Sequence, residues 1–426
     1  MKKINIDHNE INSYLGYRYC PRGNFKINED IVAAKKYKDK YLSYTQSQLV
    51  SLGSRAISKS FDECVNKYSS SKNIKHFIPL SGGIDSRFIL GELLKRVDKD
   101  QIITLTYGVP GALDYEIGSK VAKKMGVRNI RIDLSPDVFS WTDEELMASA
   151  ENYENPSILF RGYDVYRHVF KNESFDENYV FWSGFMGDSL TSLFILPKTE
   201  SLTWEESLER FVNKNFKRSK IIESNFDPKT VLPSKPILDR DILSYDEQLN
   251  YFVRQPFYLQ NSVSPKNIFS HVESPYLQNN FLKFILNVPR ESRDNRKLFI
   301  KIFQQRHPEL FSLPFQSSYG LKLNSNHNLI LGKKIFTKLK EELYSKLKII
   351  KPSSKTQFFD WNSSLRNSKR LNGLVKNNLA SLADRKIINW VDIESYYKNQ
   401  KDSKNFGENI RRLISLEIFL KLEDKK

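Results

Sequence analysis

The stretch that decides the fold is residues 76–86, HFIPLSGGIDS. A short apolar run ends here in a pair of glycines, and apolar residues at helical spacing follow at once, so we predict a strand, a tight turn and a helix. Glycine adopts positive φ angles and lets the backbone approach a ligand closely. Backbone N–H groups at such a turn, together with the positive end of the helix, form a cradle for phosphate.

Strands and helices alternate around this turn. Short apolar runs predict strands at 76–80, 101–107, 127–134 and 179–182. Apolar residues at helical spacing predict helices at 49–68, 115–125 and 281–286. A strand-helix-strand-helix-strand order is typical of a parallel sheet with right-handed crossovers. The sequence therefore predicts an α/β fold, with a parallel-sheet nucleotide-binding domain and extra C-terminal helices.

The chain divides into three stretches of different composition. Its 426 residues are more than one ordinary core accommodates. Residues 1–75 are polar, residues 76–330 contain the predicted sheet, and residues 331–426 are basic and helical in pattern. We predict a short N-terminal segment, a main domain over 76–330, and a helical C-terminal region packed on that domain.

The net charge is strongly positive, since 67 Lys and Arg stand against 50 Asp and Glu, which gives +17. Such an excess suits nucleic acid, an anionic membrane surface or a polyanionic substrate. The lysines are scattered, however, and the sequence has neither an arginine-rich block nor a nucleic-acid-binding signature. We therefore attribute most of the charge, including the lysines of 333–348, to a solvated surface and expect no nucleic-acid partner.

Composition also limits the compartment and the chemistry. No run reaches the roughly eighteen apolar residues that a membrane span needs, and the polar start MKKINID does not form a signal peptide. We therefore expect a cytoplasmic protein. The two cysteines, Cys20 and Cys64, are too few for a disulfide framework or a cysteine-built zinc site. The histidines lack metal-ligand spacing; we interpret His168 as structural and keep His271 as a candidate acid, base or binding group.

The turn at 81–86 has the chemistry of a nucleotide loop. Ser81 and Ser86 carry hydroxyls that can donate to phosphate, and Asp85 suits a Mg²⁺ ion that bridges to the phosphates. The loop lacks the Lys-Ser/Thr ending of a Walker loop and the Gly-x-Gly-x-x-Gly dinucleotide pattern. It resembles the SGGxDS loop of the N-type ATP pyrophosphatases, which have an adenine nucleotide α-hydrolase-like fold. That resemblance implies that ATP is bound and pyrophosphate is released.

Two further stretches resemble the asparagine synthetase and β-lactam synthetase branch of that superfamily. They are residues 106–115, TYGVPGALDY, and residues 182–189, WSGFMGDS. The resemblance implies that adenine meets the backbone near the first stretch, and that Asp85 and Asp188 both hold Mg²⁺. The ATP-binding residues that it implies are Leu80, Ser81, Gly82, Gly83, Asp85, Ser86, Tyr107, Gly108, Ser183 and Gly184.

A third stretch, residues 274–289, is similar to the segment of the branch that reads PFLD and then LP. The branch places a lysine after this segment, where it contacts the phosphates and stabilises the adenylation transition state. Lys297 is the match, and Lys301, one turn later, is the reserve candidate. With Asp85 and Asp188, Lys297 completes the expected catalytic set.

The sequence departs from the pattern of this branch in two places: at the N-terminus, and at residues expected near the carboxylate substrate. Lys2 follows Met1 where full asparagine synthetases have a cysteine, and residues 1–75 are too few for a glutaminase domain, although residues 13–17, SYLGY, resemble a remnant of one. Phe185 and Ser189 replace acids of the second loop, and the stretch 271–273, HVE, replaces an E-x-R pattern. Aspartate is therefore doubtful as the substrate, whereas ATP binding is expected to persist.

These patterns predict an AMP-forming carbon–nitrogen ligase that adenylates a carboxylate and transfers ammonia or an amine. The nitrogen would come from free ammonia, from a separate glutaminase or from an amine substrate. By resemblance alone, the carboxylate belongs to a surface-polysaccharide sugar acid or to a peptide natural product. Two alternatives stay open: a tRNA-modifying ATP pyrophosphatase, suggested by the charge, and a non-catalytic nucleotide-binding subunit, suggested by Phe185 and Ser189.

Overall fold

The computed structural model describes most of the chain. The described residues are 7–21, 25, 28–35, 41–70, 73–134, 142–153, 156–170, 175–193, 201–260, 265, 267–346, 364–365, 368–400 and 406–425. Predictions that concern residues 1–6, Lys348 or the side chains of His168 and Lys346 lie outside this description.

A parallel sheet forms the centre of the fold. Its strands are β1 (Lys75–Pro79), β2 (Ile102–Gly108), β3 (Arg128–Asp133), β4 (Phe175–Trp182) and β5 (Phe269–Glu273). In the described residues the strand order is β3-β2-β1-β4-β5, and each neighbouring pair is parallel. The predicted α/β class and the four predicted strands are therefore confirmed, with shifts of a few residues at their ends.

The sequence analysis missed β5. The strand is short and carries Ser270 and His271 among its apolar residues, so it lacks the continuous apolar run of a buried strand. It forms because its register places His271 opposite Val180 and Glu273 opposite Trp182 on β4. Pairing with an established strand therefore decided this element.

Helices surround the sheet. They are α1 (His8–Tyr17), α2 (Glu29–Ala34), α3 (Gln46–Asn66), α4 (Asp85–Leu93), α5 (Leu113–Met125), α6 (Asp143–Ala150), α7 (Gly162–Phe170), α8 (Gly187–Leu190), α9 (Trp204–Asn215), α10 (Tyr245–Gln248), the π-helix α11 (Leu249–Gln260), α12 (Asn279–Ile285), α13 (Arg290–Arg293), α14 (Lys297–Arg306), α15 (Pro308–Phe311), α16 (His327–Lys346), α17 (Lys369–Asp384), α18 (Ile393–Gln400) and α19 (Phe406–Asp424). The three helices predicted at 49–68, 115–125 and 281–286 correspond to α3, α5 and α12.

Helix α3 packs against the nucleotide-loop side of the sheet. It contacts α4, α12 and α14. A Cβ atom at Gly53 would lie 2.4 Å from Ile302 Cδ1 and 2.6 Å from Phe284 Cε1, so only glycine permits this close helix approach. The same hydrophobic cluster includes Ile57 and Leu80. Part of the stretch 1–75 therefore packs into the same core as α4, the helix that follows the loop, while the predicted domain boundaries stay predictions.

The C-terminal helix α19 joins a second hydrophobic cluster. It contacts α1, α6 and α17, and Leu413 and Leu416 are fully buried there, as their stripe in the sequence suggests. Tyr14 of α1 donates from its hydroxyl to the Arg412 carbonyl at 3.0 Å. In the part of the chain that the structure describes, no helix is long and apolar enough to cross a membrane.

Candidate nucleotide site

Two loops meet at the carboxyl edge of the sheet. Loop 81–86 follows β1, and loop 183–188 follows β4, its parallel neighbour. A Cβ atom at Gly187 would lie 2.7 Å from Asp85 Oδ1, and one at Gly184 would lie 3.4 Å from Asp85 Cβ. The carboxyl edge of a parallel sheet is where α/β proteins bind ligands. The fold thus brings the two glycine-rich sequences into direct contact.

Internal hydrogen bonds hold loop 81–86 in its turn. The Ser81 N–H donates to Ser86 Oγ at 3.2 Å, and the Gly83 N–H donates to Ser81 Oγ at 3.1 Å. The two serine hydroxyls lie 3.3 Å apart. Helix α4 begins at Asp85 with no side-chain cap in the described structure, so the positive end of its dipole faces this turn.

The loop is also braced from outside. The Gly82 N–H donates to Asp114 Oδ1 at 2.9 Å. The Gly82 carbonyl accepts from the Gln316 N–H at 3.0 Å and from the guanidinium of Arg87 at 3.3 Å. Arg87 is fully buried over the ring of Phe315, 3.9 Å from its centroid. This bracing fixes the backbone of the loop before any ligand binds.

The two predicted magnesium carboxylates meet on one guanidinium. Arg296 Nη1 donates to Asp85 Oδ2 at 3.1 Å and also to Asp188 Oδ1, while its Nη2 donates to Asp85 Oδ1. The Arg296 side chain is only 4% exposed. Hydrogen bonds between ionised groups are roughly twice as strong as neutral ones, and arginine makes them in pairs. Arg296 thus joins the two loops.

The close approach of the two carboxylates affects the pKa of Asp188. Burial, and then the charge of Asp85, raise the pKa of Asp188 above its usual range, while Arg296 opposes the rise. The Asp188 side chain nevertheless keeps 41% of its surface exposed, so water screens part of the repulsion. Two carboxylates share one guanidinium here, so the loops retain an excess of negative charge that favours a further cation.

Arg296 was not predicted as a site residue. Asn295 and Arg296 have φ angles of 51° and 64°, so the chain turns sharply before α14 begins at Lys297. That turn directs Arg296 inward, where its guanidinium lies 5.0 Å from the ring centroid of Phe299. The sequence DNRK contains two cations in adjacent positions, and only the backbone conformation selects between them.

In the described structure, neither predicted lysine is hydrogen-bonded to the two carboxylates. Lys297 is exposed at the start of α14 and, among the described residues, makes no hydrogen bond to Asp85 or Asp188. Lys301 is exposed and donates to Gln46 Oε1 at 2.6 Å, at the start of α3. The role of Lys297 in catalysis stays a prediction, and the structure offers Arg296 as the cation that contacts both carboxylates.

The residues predicted near adenine lie at the end of β2. Tyr107 is half-buried, and its ring meets that of Tyr166 edge-on at 5.8 Å between centroids. Gly108 ends the strand, and its carbonyl accepts from the Leu134 N–H at 2.9 Å. Leu80, on the adjacent strand end, accepts from the Thr106 hydroxyl at 3.1 Å. These residues share the carboxyl edge with loop 81–86.

Residues at the departures from the family pattern have structural partners. Glu273 accepts from Lys67 Nζ at 2.9 Å and from the Tyr68 hydroxyl at 2.7 Å, so it ties β5 to the end of α3. The His271 ring meets that of Tyr68 at 5.2 Å. Phe185 packs partly buried against the loop-side cluster. None of these contacts assigns His271 a chemical role.

The donor set at this edge fits Mg²⁺ bound together with a nucleotide. Mg²⁺ typically uses one or two carboxylates plus substrate phosphates, rather than a cage made wholly by protein. Asp85 and Asp188 supply two carboxylates, and Asp188 keeps an exposed face. Within the described ranges, no group of three or more His, Cys, Asp or Glu side chains forms a metal site on its own. The ion would therefore depend on phosphate oxygens.

No protein-family model and no curated protein sequence matches this chain. The resemblance to the asparagine synthetase branch accordingly rests on the motifs, and the functional reading rests on the residues that the fold brings together.

Proposed function

We propose that this chain is an ATP-dependent, AMP-forming ligase that activates a carboxylate as an acyl-adenylate and converts it to an amide. The observation that carries the proposal is the meeting of Asp85 and Asp188 on Arg296, beside the braced loop 81–86. Two carboxylates and a buried guanidinium at a phosphate-binding turn suit a reaction in which pyrophosphate leaves.

The first step joins the substrate to AMP. An oxygen of the substrate carboxylate forms a bond to the α-phosphorus of ATP, the bond from that phosphorus to the bridging oxygen breaks, and pyrophosphate departs with the bonding pair. Loop 81–86 would orient the phosphates through the hydroxyls of Ser81 and Ser86 and through the uncapped N-terminal end of α4. Arg296 holds Asp85 and Asp188 in place, and an ion held by these two carboxylates would supply divalent positive charge at the departing pyrophosphate.

The second step makes the amide. The nitrogen of ammonia or an amine forms a bond to the acyl carbon, the bond to the AMP oxygen breaks, and the nitrogen loses a proton. Ammonia would come from solution or from a separate glutaminase. A sugar acid of a surface polysaccharide is the preferred substrate class, with a peptide natural product as the other. Because the reaction consumes ATP, we propose the cytoplasm as its compartment.

Pyrophosphate release tests this function. The protein is incubated with Mg²⁺-ATP, ammonium and a panel of sugar acids, amino acids and peptides, and pyrophosphate and AMP are quantified. Release that depends on one carboxylate and is lost in Asp85→Asn supports the proposal. ATP binding with no release from any acid would favour a non-catalytic subunit instead, and release that requires tRNA would favour a tRNA-modifying enzyme.

A further inference from the structure

A cavity with a charged lining lies outside the two loops of the nucleotide site. It encloses about 360 Å³ and is lined by residues of α9, α10 and α11. Cavities of this size accept small molecules. The charged groups in its lining are Arg210, Lys214, Asp246 and Arg254. Three cations and one anion leave a net charge of +2 on the wall of the cavity.

One wall of the cavity comes from the π-helix α11. Helices of this kind are rare and occur frequently at functional sites. Asn250 and Arg254 of this helix both line the cavity. Asn250 is 4% exposed, its Oδ1 accepts from Gln255 Nε2 at 3.3 Å, and its Nδ2 has no hydrogen-bond partner among the described residues. A buried donor without an acceptor is costly, and an anionic ligand would supply the acceptor.

Hydrogen bonds connect this cavity to the second loop. Gln255 Nε2 donates to Asn250 Oδ1 and also to the hydroxyl of Ser189, which directly follows Asp188. Charge connects them as well. The positive charge of Arg254, which lines the cavity, acts on the carboxylate of Asp188. The cavity is thus connected through Asn250 and Gln255 to the loop that carries Asp188.

The cations of the cavity repel one another. Burial, followed by the charge of Arg254, lowers the pKa of Lys214 from its usual value; the charge of Asp246 acts against this shift, and that of Arg210 adds to it. The positive region continues along α11, where Arg18 and Arg161 lie 5.0 and 4.1 Å from the ring centroid of Tyr258. An anion bound in the cavity would relieve this repulsion.

We propose that this cavity binds an anionic group of the substrate other than the carboxylate that is activated. The substrate is then a small organic acid with at least two negative charges. The reacting carboxylate is placed at the α-phosphorus beside Asp85 and Asp188, and the second anionic group pairs with Arg210, Lys214 and Arg254 while accepting from Asn250. This inference rests on the proposed function, and it further specifies that the substrate has at least two negative charges.

Binding measurements on matched probes test the cavity directly. Calorimetric titration at low ionic strength compares glucuronate 1-phosphate, glucuronate and glucose, and in parallel glutarate, glutaramate and glutaramide. The glutarate series keeps its size while it loses negative charge, and the glucuronate series loses first the phosphate and then the carboxylate. The proteins are the wild type, the double variant Arg210→Gln/Lys214→Gln, and the control Lys229→Gln/Lys235→Gln, which removes two exposed lysine charges elsewhere. Mg²⁺-ATP binding is measured separately for each protein.

We expect the most highly charged member of at least one series to bind tightest and the neutral member not to bind. The cavity variant should weaken that binding by about 10- to 100-fold, since it removes two charged hydrogen-bonding groups, while the control variant and ATP binding stay unchanged. Equal binding to the cavity variant and the wild type, or no binding of any charged probe, overturns the inference. If the wild-type protein does not bind Mg²⁺-ATP, that result would instead count against the proposed function alone.

Discussion

Arg296 holds Asp85 and Asp188 together, one carboxylate from each of the two loops that end neighbouring parallel strands. The guanidinium is almost fully buried. Removing one partner of a buried ion pair leaves an uncompensated charge and lowers the free energy of unfolding by about 3–5 kcal/mol. That loss is a large fraction of the total stability of a typical protein. The three residues therefore act as one unit, and the predictions below separate the roles within it.

The carboxylates are expected to be required individually. Asp85→Asn and Asp188→Asn keep side-chain volume and remove the negative charge that would hold the divalent ion. We expect each to lower pyrophosphate release by about 10²-fold or more. Circular dichroism and thermal unfolding check that the fold is retained. Wild-type turnover by the Asp85 variant on any true substrate contradicts the assignment.

Arg296 and Lys297 make a direct comparison between the structural candidate and the lysine expected from sequence. Arg296→Lys keeps the charge but loses the paired geometry on the two carboxylates, and we expect a loss of about 10- to 100-fold in kcat/KM. Lys297→Met removes an exposed cation and should change kcat/KM by about twofold or less. The reverse pattern of losses would return the role to Lys297.

Gly187 is expected to tolerate no side chain. In Gly187→Ala, the added Cβ would lie 2.7 Å from Asp85 Oδ1 and 3.0 Å from Tyr276 Cε2, so the two loops must separate. We expect a loss of stability of about 1–3 kcal/mol and weakened Mg²⁺-ATP binding, measured by calorimetry. Gly373→Ala in α17 is the control, because a Cβ there has no heavy atom within 4 Å. It should raise stability by about 0.5–1 kcal/mol, and equal effects at both positions would refute the argument.

Glu92 on α4 makes the stability of the fold sensitive to acid, and it is a different carboxylate from Asp85 and Asp188. Burial alone would raise its pKa, but hydrogen bonds from His307 and Arg306 and the charge of Arg306 outweigh burial and lower the pKa to about 2. A depressed pKa means that this stabilisation is present above the unfolded value of 4.5 and is lost as the pH falls towards 2. Its size is about 3 kcal/mol.

Chemical unfolding between pH 7 and pH 3 measures the contribution of ionised Glu92 to the free energy of unfolding. Glu92→Gln should be less stable at pH 7, by about 3–5 kcal/mol, because its buried cationic partners lose their anion. Its stability should then fall less steeply than that of the wild type below pH 4.5. Glu209→Gln, an exposed glutamate of α9, is the control and should follow the wild-type curve. Parallel curves for Glu92→Gln and the wild type would be inconsistent with the proposed ion pairing.

The elements that could be predicted are those with a strong local pattern. Helix α5 was bounded by its apolar spacing and by Gly126, which ends it in the left-handed region at a φ of 67°. Strands β1 and β2 were apparent from their apolar runs. Strand β5 was not, because its Ser and His carry no strand pattern and its pairing with β4 supplies the stability.

The same division holds for the candidate site. The glycine pair of loop 81–86 and its flanking strand and helix are local features, so the sequence alone determined the position of the loop and the α/β class of the fold. Only the tertiary structure decided that Asp188 approaches Asp85, that Arg296 rather than Lys297 turns inward, and that the cations of α9 and α11 share a cavity. The physical reason is that hydrogen-bonding turns and apolar periodicity act between near neighbours in the chain. Charges that converge from distant segments are instead positioned by strand order and by a single left-handed turn before α14.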